Sequence, residues 1–202
     1  MAENTFRTSS SEPKKSTTKS NFKMPSFKLS FLQDTRLKFI YGTFLLFTSF
    51  YLLVSFISYF FTGIEDQTIV QSIGEIGMKE SGAQTENVFG LFGAKVSHFF
   101  IYKTFGIASF LFLPIFFLIG RKIVFKSEIP NQASYIRTLS FAVIWFSAFI
   151  AYSINLLNVS SKFSFLGGAI GYELSMWLSA LMGWGSIILI AFSGIVFLVL
   201  VI

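Results

Sequence analysis

The side chains able to do chemistry in this chain are few, and their spacing suits little of it. His98 is the only histidine and there is no cysteine. A zinc site or a histidine-centred general base would therefore lack partners, and neither thiolate chemistry nor a disulfide framework is open to the chain. Carboxylates collect in residues 62–86, where Glu65, Asp66, Glu75, Glu80 and Glu86 stand among Gly63, Gly74, Gly77 and Gly82. Their spacing fits no calcium-loop pattern, and the segment reads as a solvated polar loop. No Gly-x-x-x-x-Gly-Lys-Ser/Thr occurs, so these residues offer no P-loop grip on a nucleotide. The sequence thus predicts no catalytic, cofactor-binding or metal-ligating residue, and no activity of these 202 residues alone.

The elements that carry these groups are apolar. Hydrophobic residues make up 53% of the chain and charged residues only 13%, a balance that belongs in a membrane. Four runs lack charge altogether: Phe39–Phe61, Thr104–Gly120, Thr138–Ser161 and Leu174–Ile202. At about 1.5 Å of rise per residue, some 20 residues cross a hydrocarbon core of about 30 Å. Spans are predicted at about 39–61, 104–120, 138–161 and 183–202. An acid or base within a span would mark a proton path or an intramembrane protease, and the runs hold none. The last run reaches Ile202 without a polar stop, which reads as the N-terminal part of a longer protein.

One pattern occurs twice, 78 residues apart. Asn87-Val88-Phe89-Gly90-Leu91-Phe92-Gly93-Ala94 leads to Gly106, and Phe165-Leu166-Gly167-Gly168-Ala169-Ile170-Gly171 leads to Gly183 and Gly185. Apolar residues then recur at helical spacing, Phe92, Val96, Phe99 and Phe100 in one copy and Leu166, Ile170, Leu174, Leu178 and Leu181 in the other. Each copy predicts a short interfacial helix, at about 88–102 and 166–181, turning at its glycine into the next span. The fold class expected is an all-α membrane domain of four transmembrane helices with two short interfacial helices on the outer face, arranged as two related halves. The glycines have two readings, backbone-to-backbone packing of the halves or ordinary small-residue contacts, and the repetition favours packing. Counting on by 78 sets Lys95 against Glu173. An ion pair between the halves is one reading; two unrelated exposed charges is the preferred one.

Charge fixes the expected orientation. Arg7, Lys14, Lys15, Lys19, Lys23, Lys28, Arg36 and Lys38 precede the first span, and Arg121, Lys122, Lys126 and Arg137 follow the second. The positive-inside bias places both termini in the cytoplasm and residues 62–86 outside. Residues 1–37 are rich in Ser, Thr and Lys and poor in apolar residues, and read as a disordered basic tail.

The doubled motif, with Phe105-Gly106, Leu113-Pro114 and Leu181-x-Gly183-x-Gly185, resembles the N-terminal four-helix membrane domain of the FtsK/SpoIIIE DNA translocases over residues 36–202. The abundance of Phe, Ile, Lys and Ser is compatible with an AT-rich, Bacteroidota-like genome, and the resemblance implies a bacterial inner-membrane protein of the division septum, acting in cell division and chromosome segregation. It further implies other division proteins and membrane lipid as partners. A hexameric motor beyond Ile202 would supply ATP and magnesium binding and the contact with double-stranded DNA. Two other classes remain open on the residues alone: a scaffold subunit of another envelope assembly, and a small transporter of a neutral substrate, which the absence of intramembrane charge disfavours.

Overall fold

The computed structural model describes residues 34–127, 129–157 and 161–201, among which there is no strand. The first helix, α1, spans Thr35–Ile76. Asp34 starts it, accepting a hydrogen bond from the Arg36 N–H at 2.9 Å, as an N-cap should. Most of the tail expected over residues 1–37 lies outside the described residues, but residues 35–37 are the first turn of α1. The helix stops at Gly77 (φ 91°), whose N–H bonds the Ile73 carbonyl.

The expectation of a solvated loop over residues 62–86 is corrected by the structure. Residues 62–76 continue α1, and Met78–Gln84 form a short helix, α2. Once an apolar span has nucleated a helix, each added residue gains a hydrogen bond at little cost, and single glycines such as Gly63 and Gly74 weaken it by only about 1 kcal/mol each. Hydroxyls reinforce the extension, with Thr62 Oγ1 donating to Asp66 Oδ2 at 2.6 Å and Thr68 Oγ1 to the Glu65 carbonyl at 2.7 Å.

The chain next forms α3 (Gly90–Ser97), a π-helical turn (His98–Phe105), a 3-10 turn (Gly106–Leu111) and α4 (Phe112–Phe125). The second predicted span is therefore not one regular helix from residue 104 to 120. It becomes α-helical only near Pro114, whose missing N–H is harmless in a first turn, and continues past Arg121. After α5 (Gln132–Leu156) come a 3-10 turn (Ser161–Leu166), α6 (Gly168–Met182) and α7 (Gly185–Val201). The third helix thus begins six residues before the predicted position 138 and ends at Leu156; residues 158–160 lie outside the described residues.

Three helical stretches are long and apolar enough to cross a membrane, Thr35–Ile76, Gly90–Phe125 and Gln132–Leu156, and a shorter apolar helix occupies Gly185–Val199. Their outward faces carry Phe47, Phe61, Ile188 and Val199, each more than 70% exposed, which water would not tolerate on this scale and lipid does. Inside, Leu52, Phe56 and Tyr59 of α1 meet Ile101 and Leu113, and Phe165 from beyond α5 packs on the same cluster. The chain is an all-α, multi-pass membrane domain.

Candidate functional site, a glycine seam between two halves

Sequence order makes two helical units, α1–α3–α4 and α5–α6–α7. In the first, α3 is stitched to α1 by polar groups spaced three or four residues apart along α1. Asn87, buried, donates from Nδ2 to the Ser55 carbonyl at 3.1 Å and accepts the Phe89 N–H on Oδ1 at 3.1 Å. Ser58 Oγ accepts the Val88 N–H at 3.0 Å, and Ser55 Oγ donates to the Gly93 carbonyl at 2.9 Å. Asp66, fully buried, accepts the Glu86 N–H at 2.9 Å, while the Tyr59 hydroxyl lies 2.9 Å from His98 Nδ1. Gly93 must be small here, because a Cβ would strike Asn87 Oδ1 and stand 2.8 Å from Phe89 Cβ. Ala94 is fully buried beside it.

The second unit reproduces the arrangement with fewer polar ties among the described residues. Ser147 Oγ of α5 donates to the Gly167 carbonyl at 2.7 Å, as Ser55 does to Gly93. A Cβ on Gly167 would lie 2.7 Å from Ala151 Cβ, and one on Gly171 would strike Ser147. Both short helices open on a glycine with positive φ, Gly90 at 60° and Gly168 at 70°, and both close on another, Gly106 (φ 64°, ψ −142°) and Gly183 (φ 52°, ψ −126°). The interval from Gly90 to Gly106 is one residue longer than that from Gly168 to Gly183. A π-helical turn takes up one extra residue without breaking the helix, and the first copy contains one, His98–Phe105.

The halves meet at Gly106 and Gly168. A Cβ on Gly106 would collide with the Leu166 carbonyl and stand 2.6 Å from the Gly167 carbonyl carbon; one on Gly168 would collide with the Thr104 carbonyl and the Gly106 nitrogen. All of these obstacles are backbone, and both residues also hold a positive φ that side chains resist. Two main chains thus touch directly, with no side chain between them. Such close approach is how helices associate where the solvent is as apolar as their surfaces.

A family profile described as the 4TM region of DNA translocase FtsK/SpoIIIE matches residues 34–202, which takes in every described residue. The chain belongs to the FtsK/SpoIIIE family. No curated protein sequence and no solved structure matches it.

In this FtsK/SpoIIIE membrane region, the remaining predicted residues are placed as follows. Gly90 and Gly183 have open space about them, and Gly185 makes only an ordinary 3.6 Å contact with Met182. Lys95 and Glu173 are both exposed, and no ion pair joins them among the described residues. Their helices have different neighbours, α3 lying on α1, and α6 on α5 and the π turn. Among the described residues no three of His, Cys, Asp and Glu gather as a metal site would require. Sequence reasoning missed the row Ser55, Ser58, Thr62 and Asp66, and with it the partner of His98. The available signal was polar residues at helical spacing running from an apolar span into the segment beyond it.

Proposed function

We propose that this domain anchors a bacterial DNA translocase in the inner membrane and addresses it to the division septum, serving cell division and chromosome segregation. The observation that carries the reading is the family match over residues 34–202, to which the paired glycine-framed helices add a physical role. A motor pulling DNA exerts an equal reaction force on its mount. Several apolar helices resist extraction better than one, since each buries its own surface in lipid, and a backbone-to-backbone seam lets the halves share the load.

Both termini face the cytoplasm in this reading, in keeping with the basic residues before α1 and between α4 and α5. ATP, magnesium and double-stranded DNA are engaged by a motor C-terminal to Ile202. Assembly of that motor as a hexamer raises the effective concentration of lateral contacts between membrane domains and with other division proteins. The domain itself performs no catalysis.

The test is the position of residues 1–202, carrying a C-terminal fluorescent protein, in dividing cells of the source bacterium. Accumulation at midcell is expected. Uniform membrane fluorescence would remove the septal address and leave a passive anchor.

A further inference from the structure

We infer that the groove between α5 and α7 seats one anionic phospholipid, its phosphate on the first turns of α5 and an acyl chain along the aromatic wall below. The groove has a volume of about 640 Å³ and is lined by residues of α5 and α7. Its polar end is made by Ser134, Arg137 and Thr138, and its apolar length by Phe141 of α5 with Phe192 and Val196 of α7.

The order of these groups along α5 matches a phospholipid. Ser134, Arg137 and Thr138 occupy neighbouring positions one turn apart on one face, close to the helix start at Gln132, and Phe141 follows a turn deeper. A phosphate there would meet a guanidinium, two hydroxyls and the positive end of the helix together. Arg137 is exposed and has no ion-pair or hydrogen-bond partner among the described residues, so its donors are available. The floor is firm. Phe141 stacks on Phe197 at 5.0 Å, and Ser193, which lines the groove, is held by Trp145, whose Nε1 donates to Ser193 Oγ and to the Ile190 carbonyl, each at 3.2 Å. Charge complementarity at one end and an apolar trough leading inward favour a two-part ligand over a neighbouring helix, which would leave Arg137 unanswered. A basic recess between membrane helices near the interface is the usual chemistry of such a seat.

The test is native mass spectrometry of the 202-residue chain released from nanodiscs of phosphatidylglycerol and phosphatidylcholine in equal amounts. One retained phosphatidylglycerol is expected. Arg137→Gln should lower its retention about fivefold, the weight of one interfacial cation. Arg137→Lys should keep most of it, and Lys126→Gln, which removes a charge outside the groove, should change nothing. Val196→Trp fills the trough while leaving the charge, and should also release the lipid. Helical circular dichroism of each variant separates loss of the lipid from loss of the fold. Equal retention of phosphatidylcholine would overturn the proposal, as would full retention in Val196→Trp, which would reduce the effect to surface charge. Displacement by millimolar inorganic phosphate without an acyl chain would likewise sink it, by showing an anion site only.

Discussion

The two halves of this domain share a plan and differ in how it is held. Each sets a short helix between two positive-φ glycines and ties it by a serine to the preceding long helix. In the first half α4 lies along α1, so close that a Cβ on Gly120 would stand 2.9 Å from the Gly42 carbonyl oxygen. In the second half α7 is less closely apposed to α5 and meets it at separate points, Phe197 on Phe141, Gly194 under Trp145 and Ser186 at the Tyr152 hydroxyl. The first half also has the row of polar contacts from Asn87 to Asp66; among the described residues the second has fewer, such as Asn155 with Ser175. The contrast teaches that the glycine frame sets the shape of each half, and side-chain ties and helix contact set its firmness. The halves rest on one another along α5 and α6 as well as at Gly168.

Breaking the seam should therefore have the largest effect. Gly106→Ala or Gly168→Ala adds a positive-φ penalty and a backbone collision, and should destabilise the chain by about 2–5 kcal/mol. Gly90→Ala carries the first penalty alone, about 1–2 kcal/mol. Thermal unfolding in detergent should rank the variants in that order, and equal loss at Gly90 and Gly168 would show that the seam contact contributes nothing.

The polar row comes next. Asp66→Ala removes a fully buried carboxylate that accepts hydrogen bonds from the Glu86 N–H and from Thr62 Oγ1, and should cost about 1–3 kcal/mol. In the second half Asn155, exposed and 3.3 Å from Ser175 Oγ, should cost less than about 0.5 kcal/mol when replaced by Ala. Hydrogen exchange at the amides of α3 and α6 would show which helix is loosened; comparable opening of both would erase the asymmetry.

Helix contact sharpens the same distinction. Gly120→Ala presses on backbone in α1 and should cost about 1–3 kcal/mol. Gly194→Ala meets only the Trp145 ring, 2.5 Å away, which can swing aside. It should lower stability by less than Gly120→Ala while shifting Trp145 fluorescence, because the indole then leaves Ile190 and Ser193. An unchanged spectrum would mean that the ring does not cover Gly194. Smallest of all is the pair Lys95→Glu with Glu173→Lys. The double variant should equal the sum of the singles within about 0.5 kcal/mol, and a larger coupling in a double-mutant cycle would place the two charges in contact.

Much of this was legible before any coordinates. Unbroken apolar runs announce membrane helices, and glycines recurring at matched positions point to close packing, such as Gly106 and Gly168 make; their positive φ is seen only in the fold. The segment from residue 62 to 86 was misread because glycine and charge suggest a loop only when a residue is judged by its type. Its helicity depends on the span that feeds it. Asp66 and His98 were opaque for a different reason. Each is explained by a partner on another element, Glu86 and Tyr59 respectively, and one sequence does not reveal which surfaces meet. The π turn is hidden likewise, detectable only once both ends of each short helix are known.

The length of α1 has a mechanical consequence. Its 42 residues rise about 63 Å, roughly twice the thickness of a hydrocarbon core. With the apolar span at residues 39–61, residues 62–76, about a third of the rod, stand clear of the hydrocarbon on one side, braced near their foot where Asp66 grips the chain at Glu86. Whatever binds the tip is held at a fixed standoff from the bilayer, and a sideways push there becomes tilt of the same rod inside the membrane. The helix is a lever whose fulcrum is the bilayer surface.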